Sequence, residues 1–456
     1  MGFYLYEQNL PRLSMTQKTL NGWGLSTPGD TELEKLNSDK FFEVYSGNSK
    51  LISRGLGRSY GDAAQCSGGK TFSTKDLNSI KIEFGILEVE SGASLNAILS
   101  KSVPKGWFIP VTPGTRHVTV GGAIAADVHG KNHHKKGTFS DHVVSFEIAT
   151  PIGDFTCNKT TNADLFWATV GGMGLTGIIK SAKVKMTEIE TSLIKVSTFK
   201  EENLEKTIER MCEVDKDNEY SVAWVDTLAK NKKLGRSIIS VGNHALQSDL
   251  HQSKNDNLLE YRFDQKLKVP NKIPSGLLNK NSVRIFNALY YNKEIRKETV
   301  GLKTLSSFFY PLDFIQNWNN LYGHNGFLQY QIVVPDKNVH VIQEVIETFS
   351  ELKCPIFLAV LKRMGNKNEG ILSFPLKGWT LALDIPTRFP NLERILDFLD
   401  EKVISASGRV YLAKDSRMNA KSFKQMYPNW ENFRSIKQKF DPKNQIQSDL
   451  SRRLMI

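Results

Sequence analysis

Four of the chain's nine histidines fall within sixteen residues, "DVHGKNHHKKGTFSDH", from Asp127 to His142. Clustered histidines suit two chemistries, metal ligation and proton exchange near neutral pH. A metal site needs ligands spaced to close on one ion. His133 and His134 are chain neighbours and are poorly placed to share a metal, no cysteine is near, and the local carboxylates are Asp127 and Asp141. No metal is therefore expected. His133, His134, Lys135 and Lys136 read as a solvated loop. His129 stands apart: it follows the apolar run "GGAIAADV" and precedes Gly130, which places it where a buried strand emerges into a site.

Three glycine-rich segments offer a second chemistry, the binding of phosphate by backbone N–H groups. They are "SRGLGRSYGD" (Ser53 to Asp62), "PGTRHVTVGGAIAADVHG" (Pro113 to Gly130) and "ATVGGMGLTGII" (Ala168 to Ile179). The third contains G-x-G-x-x-G at Gly172, Gly174 and Gly177, the spacing of a Rossmann loop. That loop follows a strand and opens a helix. Here the helical pattern "ADLFWATV" precedes and the β-type run "GIIKSAKVKM" follows, so the Rossmann reading fails. No segment ends in G-K-[ST], which excludes a P-loop. The chain is expected to hold a pyrophosphate with several loops of a non-Rossmann domain.

Further along, "GFLQYQIVV" has a period of two that sets Gln329 and Gln331 on one face and Leu328, Tyr330 and Ile332 on the other. A strand buried on both faces would not carry two glutamines, so one face meets something polar. "LAVLKRM" places Lys362 on a strand face, and "TLALD" aligns Thr380, Ala382 and Asp384. "GRVYLAKD" reads as a strand, on which Tyr411 and Lys414 would point to opposite faces.

The elements that must position these residues lie in a chain of 456 residues, long enough for two or three domains. From 40 to 187, short β-type runs alternate with helical patches such as "SLNAILSKSV", an α+β pattern. Residues 200 to 215 read as an amphipathic helix, and 243 to 282 as a long loop or flap. From 305 to 407, strand and helix patterns alternate, and the tail closes with a helix interrupted at Pro428. Four scattered cysteines read as reduced thiols. No run reaches the ~20 apolar residues of a membrane span, and the N-terminus has no secretory pattern. Translation from Met15 is an alternative start. The net charge of +12 suits anionic partners, but the lysines are spread along the chain and no nucleic-acid motif accompanies them, so they read as a solvated surface; a phosphate-bearing substrate at a membrane face also suits this charge.

The motifs "RGLGRSYGD", "PGTRHVTVGGAIAADVHGKNHH", "DLFWATVGGMGLTGII", "GFLQYQIVVP", "YLAKDSR" and "FDP" occur in order along nearly the whole chain. In them the sequence resembles flavoproteins of the vanillyl-alcohol-oxidase type, and within these the polyprenylphosphoryl-ribose oxidase family; 228 to 300 carries no firm resemblance. The resemblance implies a two-part FAD-binding domain, residues 1–193 completed by 409–456. It also implies a substrate domain, 194–408, with a mainly antiparallel sheet flanked by helices. It assigns FAD contacts to Ser53, Arg54, Gly55, Leu56, Gly57, Arg58, Ser59, Tyr60, Gly61, Asp62 and Ala63. Further contacts fall on Gly114, Thr119, Val120, Gly121, Gly122, Ala126, Asp127, Val128, His129, Ile179 and Tyr411. Substrate contacts are assigned to Lys131, Gln329, Gln331, Lys362 and Lys414, and catalytic work to His129, Lys414 and Tyr60. Many relatives bond FAD to a histidine where this chain has Arg58, so FAD is expected to be held non-covalently. Mycobacterial members have a cysteine where this chain has Ala382, a departure that leaves redox chemistry intact.

The implied reaction oxidises a sugar hydroxyl to a ketone, at the 2′ position of a polyprenylphosphoryl-β-D-ribose, with either His129 or Lys414 handling the proton. A lipid-linked sugar phosphate substrate, an NAD(P)H-dependent reductase partner, and a cytoplasmic site with peripheral contact at the inner membrane follow from the same resemblance. An alditol or aldonolactone oxidase is the alternative enzyme, and a nucleic-acid-binding protein the non-enzymatic one.

Overall fold

The computed structural model describes residues 16–37, 41, 43–47, 50–250, 257–263, 267–270, 273–274 and 276–456. The first fourteen residues, the alternative start at Met15, and parts of the 243–282 loop lie outside the described residues. The architecture is α+β.

Two sheets form the N-terminal part. In the first, Leu51–Arg54 and Gly29–Lys35 pair in parallel with Lys70–Ser73 between them, and Thr16–Leu20 adds an antiparallel edge. The second is a five-stranded antiparallel sheet whose centre, Ile178–Lys185, pairs with Ile86–Glu90 on one side and Val143–Thr150 on the other. Between them the chain makes two short helices, Leu95–Ser102 and Val120–Ala125. The second helix corrects the expected strand through "GGAIAADV". Thr119, extended at φ −90° and ψ 157°, accepts a side-chain bond from the Gly122 N–H and so caps a helix.

The third sheet has eight strands, all paired antiparallel, in the order Glu298–Thr304, Leu193–Glu201, Ser237–His244, Tyr220–Val225, Ala359–Met364, Gly378–Pro386, Phe327–Pro335, Arg409–Val410. The helices Leu204–Val214, His340–Glu351 and Leu392–Ser405 supply its apolar cover. Period two works as the sequence implies: Leu328, Tyr330, Ile332 and Val334 enter this core, and the Tyr330 hydroxyl donates to Asp400 at 2.9 Å. Gln329 and Gln331 face the other way.

The strand expected over "GRVYLAKD" shrinks to Arg409–Val410, which joins the large sheet by pairing with Ile332 and Val333. Beyond it the chain turns, with the N–H groups of Lys414 and Asp415 both donating to the Tyr411 carbonyl. The tail then returns to the N-terminal sheets: Leu51 bridges Ile446, and Arg453 grips Asp62 through two bonds of 2.9 and 2.8 Å. Arg453 also donates to Asp415 at 2.8 Å, so one guanidinium joins the first glycine loop to the turn carrying Lys414.

Candidate active site

The three glycine segments and the bare face of the large sheet enclose a cavity of about 500 Å³, within the ~300–1,000 Å³ range of ligand and cofactor sites. The first loop forms one wall. Gly57 sits at φ +63°, where glycine is favoured. Gly55 packs so closely that a Cβ there would lie 2.2 Å from Thr119 Oγ1. This approach brings the first loop against the second, so that Gly121 and Gly122 line the cavity beside Gly55 to Tyr60, with Gly174 and Gly177 of the third segment also at its wall.

Most expected cofactor residues line this space: Ser53, Gly55, Leu56, Gly57, Arg58, Ser59, Tyr60, Ala63, Gly114, Thr119, Gly121, Gly122, Ala126, Val128, His129, Ile179 and Tyr411. Five do not. Arg54 donates to the carbonyls of Asn21 and Ala64, bracing the loop from behind. Gly61 lets the Asp415 carbonyl approach, and Asp62 is taken by Arg453. Val120 is fully buried core. Asp127, at φ +40°, accepts from Ser373 and Asn368 and so ties the His129 loop to the segment that carries them.

The polar end gathers residues from distant parts of the chain. Tyr411 lies beside His129, ring centres 5.2 Å apart, and Phe374 beside both. The Gln331 amide nitrogen donates to His129 Nε2 at 2.9 Å and to Thr380 Oγ1 at 3.1 Å. His129 Nε2 is therefore an acceptor and its proton sits on Nδ1, which is buried and without a partner among the described residues. Gln329 donates to Asp384 Oδ1, a carboxylate on the neighbouring strand. Lys414 Nζ lies 3.7 Å from the centre of the Tyr60 ring, and the Tyr60 N–H donates to the Ala413 carbonyl. The turn after Val410 therefore resolves the strand paradox: Tyr411 and Lys414 both line the cavity.

Lys131, expected at the substrate, does not line the cavity. Its ammonium donates to the Phe308 carbonyl and lies 4.4 Å from the centre of that ring. The expected solvated loop is also corrected. His133 Nδ1 accepts from the Gly365 N–H at 2.9 Å, and His134 Nε2 meets the Asn218 carbonyl at 3.1 Å, while Lys135 and Lys136 are exposed. Among the described residues no group of three or more His, Cys, Asp or Glu could hold a metal, the four cysteines are free, and no helix is long and apolar enough to cross a membrane.

Burial dominates the electrostatics. It lowers Lys362 to about 8, and it lowers Lys414 against the pull of Asp384 and with the push of Lys362. Burial raises the Asp384 carboxyl, and lowers His129 well below the ordinary value with help from Lys362, His133 and Lys414. Among the described residues neither Lys362 nor Lys414 has a carboxylate at salt-bridge distance.

Several lining residues carry no sequence motif. Trp23 hangs from the first loop by its N–H to the Ser59 carbonyl and stacks under Arg58, 4.2 Å from the ring centre. Leu312, Asp313 and Trp318 also line the cavity, with the Trp318 ring 6.0 Å from that of Trp23. Only the turn signatures "NGWG" and "YPLD" hint at them. Leu358 and Val360 were legible as the alternating partners of Lys362.

These surfaces fit FAD. The glycine-lined walls offer backbone close to the cavity, Ser91 Oγ and His129 Nδ1 are buried without partners, and the walls between are apolar. Comparison with known proteins agrees. The family described as FAD binding domain matches residues 44–158, and that of D-arabinono-1,4-lactone oxidase matches residues 328–454. The chain is 33% identical to an uncharacterized protein of Streptomyces coelicolor over 79% of this chain and 99% of that one. It is 38% identical to the decaprenylphosphoryl-beta-D-ribose oxidase of Mycolicibacterium smegmatis, over 97% of this chain and 98% of the relative. Identity at that level, sustained from end to end of both chains, reaches far past a shared cofactor domain, and the chain belongs to the decaprenylphosphoryl-beta-D-ribose oxidase family of FAD-dependent oxidoreductases.

Proposed function

We propose that this enzyme oxidises the 2′-hydroxyl of a polyprenylphosphoryl-β-D-ribose to the ketone, the first half of an epimerisation to the arabinose form. One observation carries the choice of substrate: the half-buried Lys362, at the polar end of the cavity without a carboxylate at salt-bridge distance among the described residues. An ammonium withdrawn from water without a counter-charge is disfavoured. A phosphate group offsets that cost and a neutral polyol does not. The name of the Mycolicibacterium smegmatis relative supports the same substrate.

FAD supplies the acceptor for the hydride that leaves the sugar carbon. The chain's own groups handle the proton and the pose. Lys414, with its pKa lowered by burial, has a neutral fraction near neutral pH and takes the hydroxyl proton. His129 cannot act as the base at Nδ1, because Gln331 occupies Nε2 and leaves the proton on Nδ1. It donates instead, stabilising the developing alkoxide. Gln329, held by Asp384, and Gln331, held by Thr380, orient the sugar. Lys362 meets the phosphate, and Tyr60 walls the site and limits where Lys414 can lie. Ser53, Gly55 to Tyr60, Ala63, Thr119, Gly121 and Gly122 would hold FAD, without a covalent bond, since Arg58 is no nucleophile and its guanidinium is engaged with Trp23 and the Leu56 carbonyl. The ketone passes to an NAD(P)H-dependent reductase, and the lipid tail brings the enzyme into peripheral contact with a membrane.

The match to D-arabinono-1,4-lactone oxidase over 328–454 favours a second reading, oxidation of a free polyol or lactone. A turnover assay comparing polyprenylphosphoryl-ribose with free ribose, alditols and aldonolactones decides between them. Faster turnover of a free polyol or lactone refutes the lipid-phosphate reading.

A further inference from the structure

Among the described residues, nine of the sixteen large apolar side chains that stand exposed fall between Leu267 and Phe314. Soluble surfaces scatter such residues singly, so a concentration of this kind marks a contact surface. Its centre is the helix Lys280–Lys293 and the strand Glu298–Thr304 that follows it. The helix is capped by Asn279 and buries Val283 and Asn287, with Asn287 donating to Asp226 at 2.7 Å. Ile285 and Leu289, one turn apart on the outer side, are 60% and 69% exposed. Ile295 in the connection is 92% exposed, and Val300 and Leu302 share one face of the strand, which is the free edge of the eight-stranded sheet.

The inner side of the same helix reaches the active-site wall. Phe286 packs on Phe357, ring centres 4.7 Å apart, and Leu278, just before the helix, joins Tyr60, Trp318 and Phe357 in one cluster. Basic residues outnumber acidic ones around the outer apolar stripe: Lys280, Arg284, Lys293, Arg296 and Lys297 against Glu294 and Glu298. Protein interfaces deplete lysine, whereas a half-exposed tyrosine such as Tyr290 suits a bilayer boundary as well as a protein contact. Aliphatic residues set among lysine and arginine suit the boundary of an anionic bilayer instead.

We infer that the outer face of Lys280–Lys293, continued by Ile295 and Val300, docks on an anionic lipid surface and sets the cavity beside the membrane that holds the substrate's tail. This rests on the lipid-linked substrate proposed above. The head group then enters the cavity while the polyprenyl chain stays in the bilayer, so the apolar stripe needs no tunnel behind it.

The test sediments FAD-loaded enzyme with phosphatidylcholine vesicles, with and without phosphatidylglycerol. The wild type is expected to pellet with the anionic vesicles. Arg284→Gln with Lys293→Gln is expected to weaken partitioning about thirty-fold, from the roughly 1 kcal/mol that each basic residue contributes near such a surface. Ile285→Ser with Leu289→Ser is expected to weaken it about tenfold or more. All four side chains lie outside the core, and unchanged flavin content confirms that each variant is folded. Failure of the wild type to pellet, or pelleting of both variants as wild type, overturns the inference. So does a stable dimer that dissociates on Ile285→Ser with Leu289→Ser, since the face then belongs to a second copy. Turnover of detergent-dispersed polyprenylphosphoryl-ribose separates the two readings. Turnover without vesicle binding refutes the docking face alone, and vesicle binding without turnover refutes the substrate alone.

Discussion

Replacing Lys414 with alanine tests the centre of the proposed chemistry. The side chain is half-buried, its ammonium lies 3.7 Å from the Tyr60 ring centre, and it sits near Asp384. Its removal loses a cation–π contact of about 1–2 kcal/mol and relieves part of a desolvation penalty. Asp384 loses a cation that lowers its pKa, so it rises further toward the neutral acid and strands no new charge. The fold and the glycine-loop contacts therefore survive, and flavin content should match wild type. Loss of a general base lowers the rate about 10²–10⁴-fold, or roughly 3–5 kcal/mol of barrier at ~1.36 kcal/mol per tenfold. Anaerobic stopped-flow reduction at saturating substrate reads that loss directly. The pH profile adds a sign. Only neutral Lys414 accepts a proton, so wild-type reduction should accelerate as pH rises through a pKa well below the ordinary 10.5 of lysine, and the variant should lack that limb. Near-wild-type reduction by Lys414→Ala, or an unchanged pH limb, refutes Lys414 as the base.

Arg453→Ala should strand Asp62 and Asp415, destabilise the enzyme by about 3–5 kcal/mol, and release FAD on gel filtration, because this guanidinium joins the first loop to the turn carrying Lys414. Acid precipitation should leave all the flavin in the supernatant; a yellow pellet would show a covalent bond. Lys362 has a folded pKa of about 8 against 10.5 unfolded, so between these values the unfolded chain binds more protons and stability should rise with pH, by up to about 3 kcal/mol. Thermal melts of wild type and Lys362→Met across that window should differ by this slope. Dialysis against a strong chelator should leave turnover intact, and activity restored by zinc would revive a metal role for the histidine cluster.

Sequence legibility followed the range of the interactions. The strand Phe327–Pro335, its two-faced pattern and the helices that cover it were readable because each is set by spacing within a few residues. So were the glycine loops and the rejection of a Rossmann fold, since both rest on what directly precedes and follows a motif. "GGAIAADV" misled because its apolar run fits a buried strand or a short helix equally well, and the Thr119 cap that selects the helix is one hydroxyl bonded three residues on. "GRVYLAKD" misled because only two of its residues have a strand to pair with.

The sequence by itself determined that this chain carries glycine loops without a phosphate lysine, a glutamine-bearing strand face and a histidine beside an apolar run, and its resemblance implied a flavoprotein. Tertiary structure alone decided which polar groups line the cavity. Arg54, Asp62 and Asp127 sit in or beside the same motifs as the lining residues, yet bond away from the cavity to Asn21, Arg453 and Ser373. Lys131 is two residues from His129 but is captured by Phe308. Gln331 reaches His129 across 202 residues and thereby places its proton. A buried polar side chain must find a partner. When that partner lies a hundred or more residues away, only the folded chain specifies it.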